Sequence, residues 1–211
     1  MIMTEFTHRE TASHAVAKYL FEHLEAQLAA QPRAMLMASG GSSPQQCLIE
    51  LSAYPLDWSR VDVTLTDERL VPVTDEASNE RMVRETLFTG AAKSSTFCQL
   101  SNLNVSLIAS ALPVTLVGMG EDGHFASIFP DLTELDSLVD IDAAPACKDV
   151  ITSASPVPRC TANLSLLLRS RAILLLVFGD KKKQVLEAAD GLPVSHLVNQ
   201  SRVPVEVYWA P

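Results

Sequence analysis

Pro113-Val114-Thr115-Leu116-Val117 runs directly into Gly118-Met119-Gly120-Glu121-Asp122-Gly123-His124. A short apolar run bounded by glycines reads as a buried strand that ends in a tight turn. The same pattern occurs three more times. Ala34-Met35-Leu36-Met37-Ala38 leads into Ser39-Gly40-Gly41-Ser42-Ser43-Pro44, residues 61–66 lead into Asp67-Glu68-Arg69, and residues 172–178 lead into Gly179-Asp180-Lys181-Lys182. Helical segments are expected after the first, second and fourth turns, over about 44–53, 78–88 and 180–190. Ala12, Val16, Tyr19, Leu20, His23 and Leu24 recur at helical spacing and predict a first helix over about 7–30. Residues 205–209 read as a closing strand. Strands alternating with helices imply an α/β fold with a largely parallel sheet. In such sheets ligands bind beyond the carboxyl ends of the strands, where all four turns fall.

The bulk numbers agree with an ordinary globular chain. At 211 residues it fits one domain spanning 1–211, and 47% hydrophobic with 19% charged residues is enough to build a core. A net charge of −9 argues against nucleic acid and anionic membrane surfaces as partners, and requires any anion site to gather its cations locally. Cys47, Cys98, Cys147 and Cys160 form no CxxC and no zinc-type spacing, so they read as reduced thiols filling core space. The N-terminus carries no signal-peptide pattern and no apolar run is long enough to span a bilayer. The expectation is a soluble intracellular, cytoplasmic protein.

Each turn has a chemical reading beside a structural one. In Ser39-Gly40-Gly41-Ser42-Ser43-Pro44 the glycines let backbone N–H groups approach an anion, with Ser43 as N-cap, Pro44 at the first helical position and Gln46 completing a capping box. A phosphate cradle and a plain strand-to-helix turn fit equally well. Arg69 can grip a phosphate and Asp67 can hold a partner or a sugar hydroxyl, although the tripeptide alone also fits a solvated turn with a local ion pair. Ser78 reads as the N-cap of the helix that follows.

Gly118 to His124 carries the chemistry. Its glycines force an unusual backbone path whose exposed amides can stabilise a developing oxyanion. His124 is the natural proton acceptor, with Asp122 or Glu121 to orient it. No G-x-S-x-G elbow is present, so attack by an activated water is the simplest scheme. At the fourth turn Asp180 is expected to cap a helix that opens with three lysines. Cations at a helix N-terminus oppose its dipole at roughly 0.3–1 kcal/mol each. Lys182 lies at the centre of the stripe made by Val185, Leu186 and Ala189, so it should point inward. Arg159 is a second cation, in a loop stiffened by Pro156 and Pro158.

Together these stretches resemble the 6-phosphogluconolactonases, within the group that includes the glucosamine-6-phosphate isomerases/deaminases. The resemblance rests on Ser39 to Pro44, Asp67 to Pro72, Ser78-Asn79 with Met82, Gly118 to His124 continuing to Ser127-Ile128-Phe129-Pro130, Pro158-Arg159 with Thr161, and Gly179 with Lys182, all in family order. Arg69, where deaminases carry Tyr, and Ser127-Ile128-Phe129-Pro130 favour the lactonase branch. The resemblance implies a Rossmann-like three-layer sandwich and no metal or organic cofactor. It implies hydrolysis of a phosphosugar lactone, with His124 activating water and Asp122 and Asp67 supporting it. Arg69, Lys182, Arg159, the 39–43 loop, Gly120 and Gly123 would bind substrate, in a monomer or homodimer. An amino-sugar-phosphate isomerase/deaminase and a non-catalytic sugar-phosphate binding module are the alternatives. Two features depart from the family pattern. Phe125 replaces a small hydroxyl residue, which is expected to tighten the pocket or remove a hydrogen bond. The 89–112 connection is short, so a covering helix is expected to be reduced or missing and an apolar sheet face bared.

Overall fold

The computed structural model describes residues 2–211. Its main sheet contains β1 (Ile2–Glu5), β2 (Ala34–Ala38), β3 (Val61–Leu65), β5 (Thr96–Phe97), β6 (Val114–Gly118), β9 (Ala172–Phe178) and β10 (Val205–Ala210), in the order β1-β10-β9-β6-β2-β3-β5. Every neighbouring pair in it is parallel. β2 is buried throughout and β9 nearly so, as expected of strands covered on both faces, which read as continuous apolar runs rather than alternating ones.

Among the described residues eight α-helices complete the architecture: α1 (Arg9–Ala30), α2 (Gln45–Ser52), α3 (Asn79–Thr86), α4 (Val105–Ala111), α5 (Leu135–Val139), α6 (Leu164–Leu167), α7 (Asp180–Glu187) and α8 (Pro193–Asn199). They flank the sheet in a three-layer α/β fold. No helix is long and apolar enough to cross a membrane among the described residues.

The chain leaves β2 toward β3 on one side, whereas β6 connects to β9 on the other. The winding therefore reverses between β2 and β6. Loops diverging there open a crevice at the carboxyl ends of the strands. The two glycine-rich turns, 39–43 and 118–123, are the ones that leave those two strands.

The structure corrects several expectations. Asp67-Glu68-Arg69 is not a turn but strand β4 (Asp67–Arg69), and Arg159 lies not in a loop but on β8 (Ser155–Ala162). With β7 (Cys147–Thr152) they form an antiparallel sheet in the order β4-β8-β7. Two prolines made 155–162 look unlike a strand. Pro158 turns its carbonyl toward Leu70 N–H (2.8 Å), so its missing N–H falls at the end of the three-residue β4, where no ladder bond is required.

The capping box does not form. Gln46 donates to Glu50 Oε1 (2.9 Å), and Pro44, already in helical conformation, occupies the cap position without a side-chain bond. Asp180 is the first residue of α7 rather than its cap. Gly179 holds that place at φ +95°, a conformation only glycine adopts cheaply. α4 is present, seven residues long, and β2 and β6 are buried, so the sheet is not bared at these two strands. No disulfide links the four cysteines, and burial pushes the Cys47 thiol up to about 12.

Candidate active site

The reversal point holds a cavity of about 240 Å³. The whole 39–43 loop lines it, together with Asp67, Arg69, Gly120, His124, Arg159 and Lys182. Four segments far apart in sequence therefore meet at one rim. Asp122 and Gly123 are not on the wall, because both act from behind the imidazole.

The His124 side chain is held from three directions. Its Nδ1 lies 2.5 Å from Asp122 Oδ1, which also accepts the His124 backbone N–H (3.2 Å). Its ring packs on Phe129 with centroids 4.1 Å apart. Gly120 supplies the third constraint by having no side chain: a Cβ there would lie 2.2 Å from His124 Cε1 and 2.6 Å from Asp122 Oδ1. Gly123 sits at φ +78° against Leu192 and turns the chain so that the pair can form. A proton on Nδ1 facing Asp122 leaves Nε2 as the acceptor. Glu121, the other acid considered for this role, instead pairs with Lys181 (2.5 Å), which lowers the pKa of its carboxyl group.

Across the cavity, β4 and β8 place Arg69 directly opposite Arg159. Arg69 Nη1 donates to Ala77 O (2.6 Å). Asp67 is buried; its Oδ2 accepts from Ser127 Oγ (2.6 Å) and its Oδ1 from Thr66 Oγ1 (3.1 Å), with Arg159 Nη1 3.8 Å away. The Arg159 guanidinium lies over the same Phe129 ring, 5.3 Å from its centroid. Burial lowers its pKa, an effect that Asp67 opposes.

The fourth turn sorts its lysines as the face reading predicted. Lys181 pairs with Glu121, and Lys183 pairs with Glu5 (2.6 Å) over the Trp209 ring. Lys182 makes no ion pair among the described residues and lines the cavity; burial lowers its pKa. Two buried polar atoms on the lining residues, Ser39 Oγ and Arg159 Nε, have no hydrogen-bond partner among the described residues. Such orphaned groups are uncommon and suit a site that expects a polar ligand.

Sequence reasoning gave no individual site role to four residues of the wall: Asn79, Gly118, Met119 and Ala126. Asn79 Nδ2 donates to Asp67 O (2.8 Å), and its amide fills the space a Cβ on Gly40 would need, 2.0 Å away. Ala126 adopts φ +48°, a left-handed conformation that nothing about an alanine announces. Among the described residues no group of three or more His, Cys, Asp or Glu side chains is arranged to hold a metal ion.

A family model described as glucosamine-6-phosphate isomerases/6-phosphogluconolactonase matches residues 7–209. The chain belongs to this family. A 6-phosphogluconolactonase of Caulobacter vibrioides is 36% identical, with 97% of this chain and 95% of that protein covered. One of Rhizobium meliloti is 32% identical, with 98% and 97% covered. The crystal structure of a 6-phosphogluconolactonase from Shewanella baltica superposes with a TM-score of 0.89 at 30% identity, covering 100% of this chain and 98% of that one. Against the family pattern, Phe125 does not tighten the pocket. It is fully buried, bridges Met119 and Ile128, and is absent from the cavity wall.

Proposed function

We infer that the chain hydrolyses 6-phospho-D-glucono-1,5-lactone to 6-phosphogluconate, in the oxidative pentose phosphate pathway of the cytoplasm. The observation that carries this reading is His124, paired with Asp122 behind it, on one wall of a cavity whose other walls bear Lys182, Arg69, Arg159 and the Ser39–Ser43 loop. Asp122 fixes the imidazole tautomer, and Nε2 takes a proton from water. The resulting hydroxide attacks the lactone carbonyl carbon. Turn amides or a nearby cation stabilise the oxyanion. Its collapse expels the ring oxygen, which recovers the proton from His124, and the product leaves as the open-chain carboxylate. The cations and the hydroxyls of Ser42 and Ser43 hold the phosphate end, so that the lactone carbon faces the imidazole.

The test is hydrolysis of freshly prepared lactone above the spontaneous background. His124→Ala should reduce kcat by roughly 10²–10⁴-fold, the range for losing a positioned general base. Equal rates for variant and wild type would remove His124 from the mechanism. The isomerase/deaminase reading needs Asp67 as a mobile base, whereas Asp67 is buried between Ser127, Thr66 and Arg159. Ammonia release from glucosamine 6-phosphate would restore that reading.

A further inference from the structure

A second, open cavity lies beside the first, and the two share Ser42 and Ser43 as a common wall. Arg9, Glu10, Ser13, Gln46 and Phe178 line the rest of it. Arg9 is held in place. Its guanidinium stacks over the Phe178 ring (5.4 Å to the centroid) and its Nε donates to Pro211 O (2.8 Å). That is the only hydrogen bond of its guanidinium among the described residues, and no carboxylate pairs with it. Its two terminal nitrogens have no hydrogen-bond acceptor among the described residues. A Cβ on Gly179 would lie 4.0 Å from Arg9 Nη2, so the guanidinium rests against the turn that carries Lys182.

The placement is against the trend of the molecule. In a chain of net charge −9, Lys181 and Lys183 both have carboxylate partners, yet the two cations that adjoin each other have none. Their proximity is unfavourable: Arg9 adds to the burial that lowers the Lys182 pKa, against Glu121 and Asp122. Like charges kept together with no carboxylate in ion-pair contact suit an anion that bridges them, and Ser42 and Ser43 line both cavities.

We propose that Arg9 and Lys182 form one anion site across the Ser42-Ser43 wall, and that the phosphate group of the substrate is held there by both. This deepens the lactonase reading and rests on it for the identity of the substrate. The anion site itself is testable without turnover. Calorimetric titration of wild type, Arg9→Gln, Arg9→Lys and Lys182→Ala with inorganic phosphate and with 6-phosphogluconate reads binding directly. Arg9→Gln should weaken both by roughly tenfold, as expected for losing one charge-assisted contact. Arg9→Lys should recover part of the loss, which a purely structural role through Phe178 and Pro211 would not produce. In kinetics, Arg9→Gln should raise KM for the phosphorylated lactone with kcat nearly unchanged. It should leave hydrolysis of unphosphorylated glucono-1,5-lactone as in wild type. Unchanged phosphate binding in a folded Arg9→Gln protein, or no phosphate binding by wild type, would overturn the site. Arg9-dependent phosphate binding by a wild type that hydrolyses no lactone would overturn the reaction and leave the site standing.

Discussion

At the scale of single residues, the site is defined as much by missing atoms as by present ones. Gly120 is required because the imidazole and the Asp122 carboxylate occupy the volume its Cβ would take. Gly40 makes the same concession to the Asn79 amide. These two demands are steric, whereas Gly41 and Gly123 answer to positive φ. Gly120→Ala should therefore act on the chemistry without replacing a catalytic group. The methyl must displace His124 from Asp122, and kcat for the lactone should fall by roughly 10²-fold or more, since the base loses its orientation. The turn is at the surface, so the melting temperature should move little. A Gly120→Ala enzyme with wild-type kcat would show that the Asp122–His124 contact is not needed for turnover.

At the scale of elements, Glu68 shows how one side chain can tie a strand to a helix. Its carboxylate accepts from Asn79 N–H and Glu80 N–H (2.7 Å each), from Ser78 Oγ–H (3.1 Å) and from Arg69 N–H (2.7 Å). An acid that satisfies the first amides of α3 is favoured by the helix dipole as well. Glu68→Ala should cost about 2 kcal/mol in chemical denaturation, at the upper end for a lost cap. It should also raise KM, because β4 and α3 carry Arg69 and Asn79 into the cavity. This link was not legible in the sequence. Strands β2, β6 and β9 could be read because burial on both faces makes them uninterrupted apolar runs. Lys182 could be read because its stripe position conflicted with its charge. β4 has only three residues, β8 carries two prolines, and the 89–112 segment has little periodicity, so the second sheet and α4 left no such signal. Asn79 and Ala126 matter through contacts and backbone angles that arise only in the tertiary fold.

At the scale of the whole molecule, the crevice is where two sheets of different kinds are stitched together. The parallel sheet supplies the glycine-rich turns and the antiparallel one supplies Arg69 and Arg159. Backbone bonds cross from one to the other through Thr66, whose N–H donates to Ala38 O and whose carbonyl accepts from Ala162 N–H (2.9 Å each). Asp67 sits at this seam. It is buried, bonded by Ser127 and Thr66, and is the nearest carboxylate to the half-buried Arg159, so it offsets local positive charge inside an acidic protein. Removing one partner of a buried ion pair leaves the other uncompensated, which costs about 3–5 kcal/mol where both are fully buried. Because Arg159 keeps some solvent contact, Asp67→Ala is expected to lose about 2–3 kcal/mol by urea denaturation, below that range. Substrate affinity should fall in parallel, since Arg159 would relax away from the cavity. Asp67→Asn keeps a hydrogen-bond acceptor for Ser127 and should lose less of each. If instead Asp67→Ala abolished turnover while stability and affinity stayed at wild-type values, Asp67 would be acting on the substrate itself and not as the clasp between the sheets.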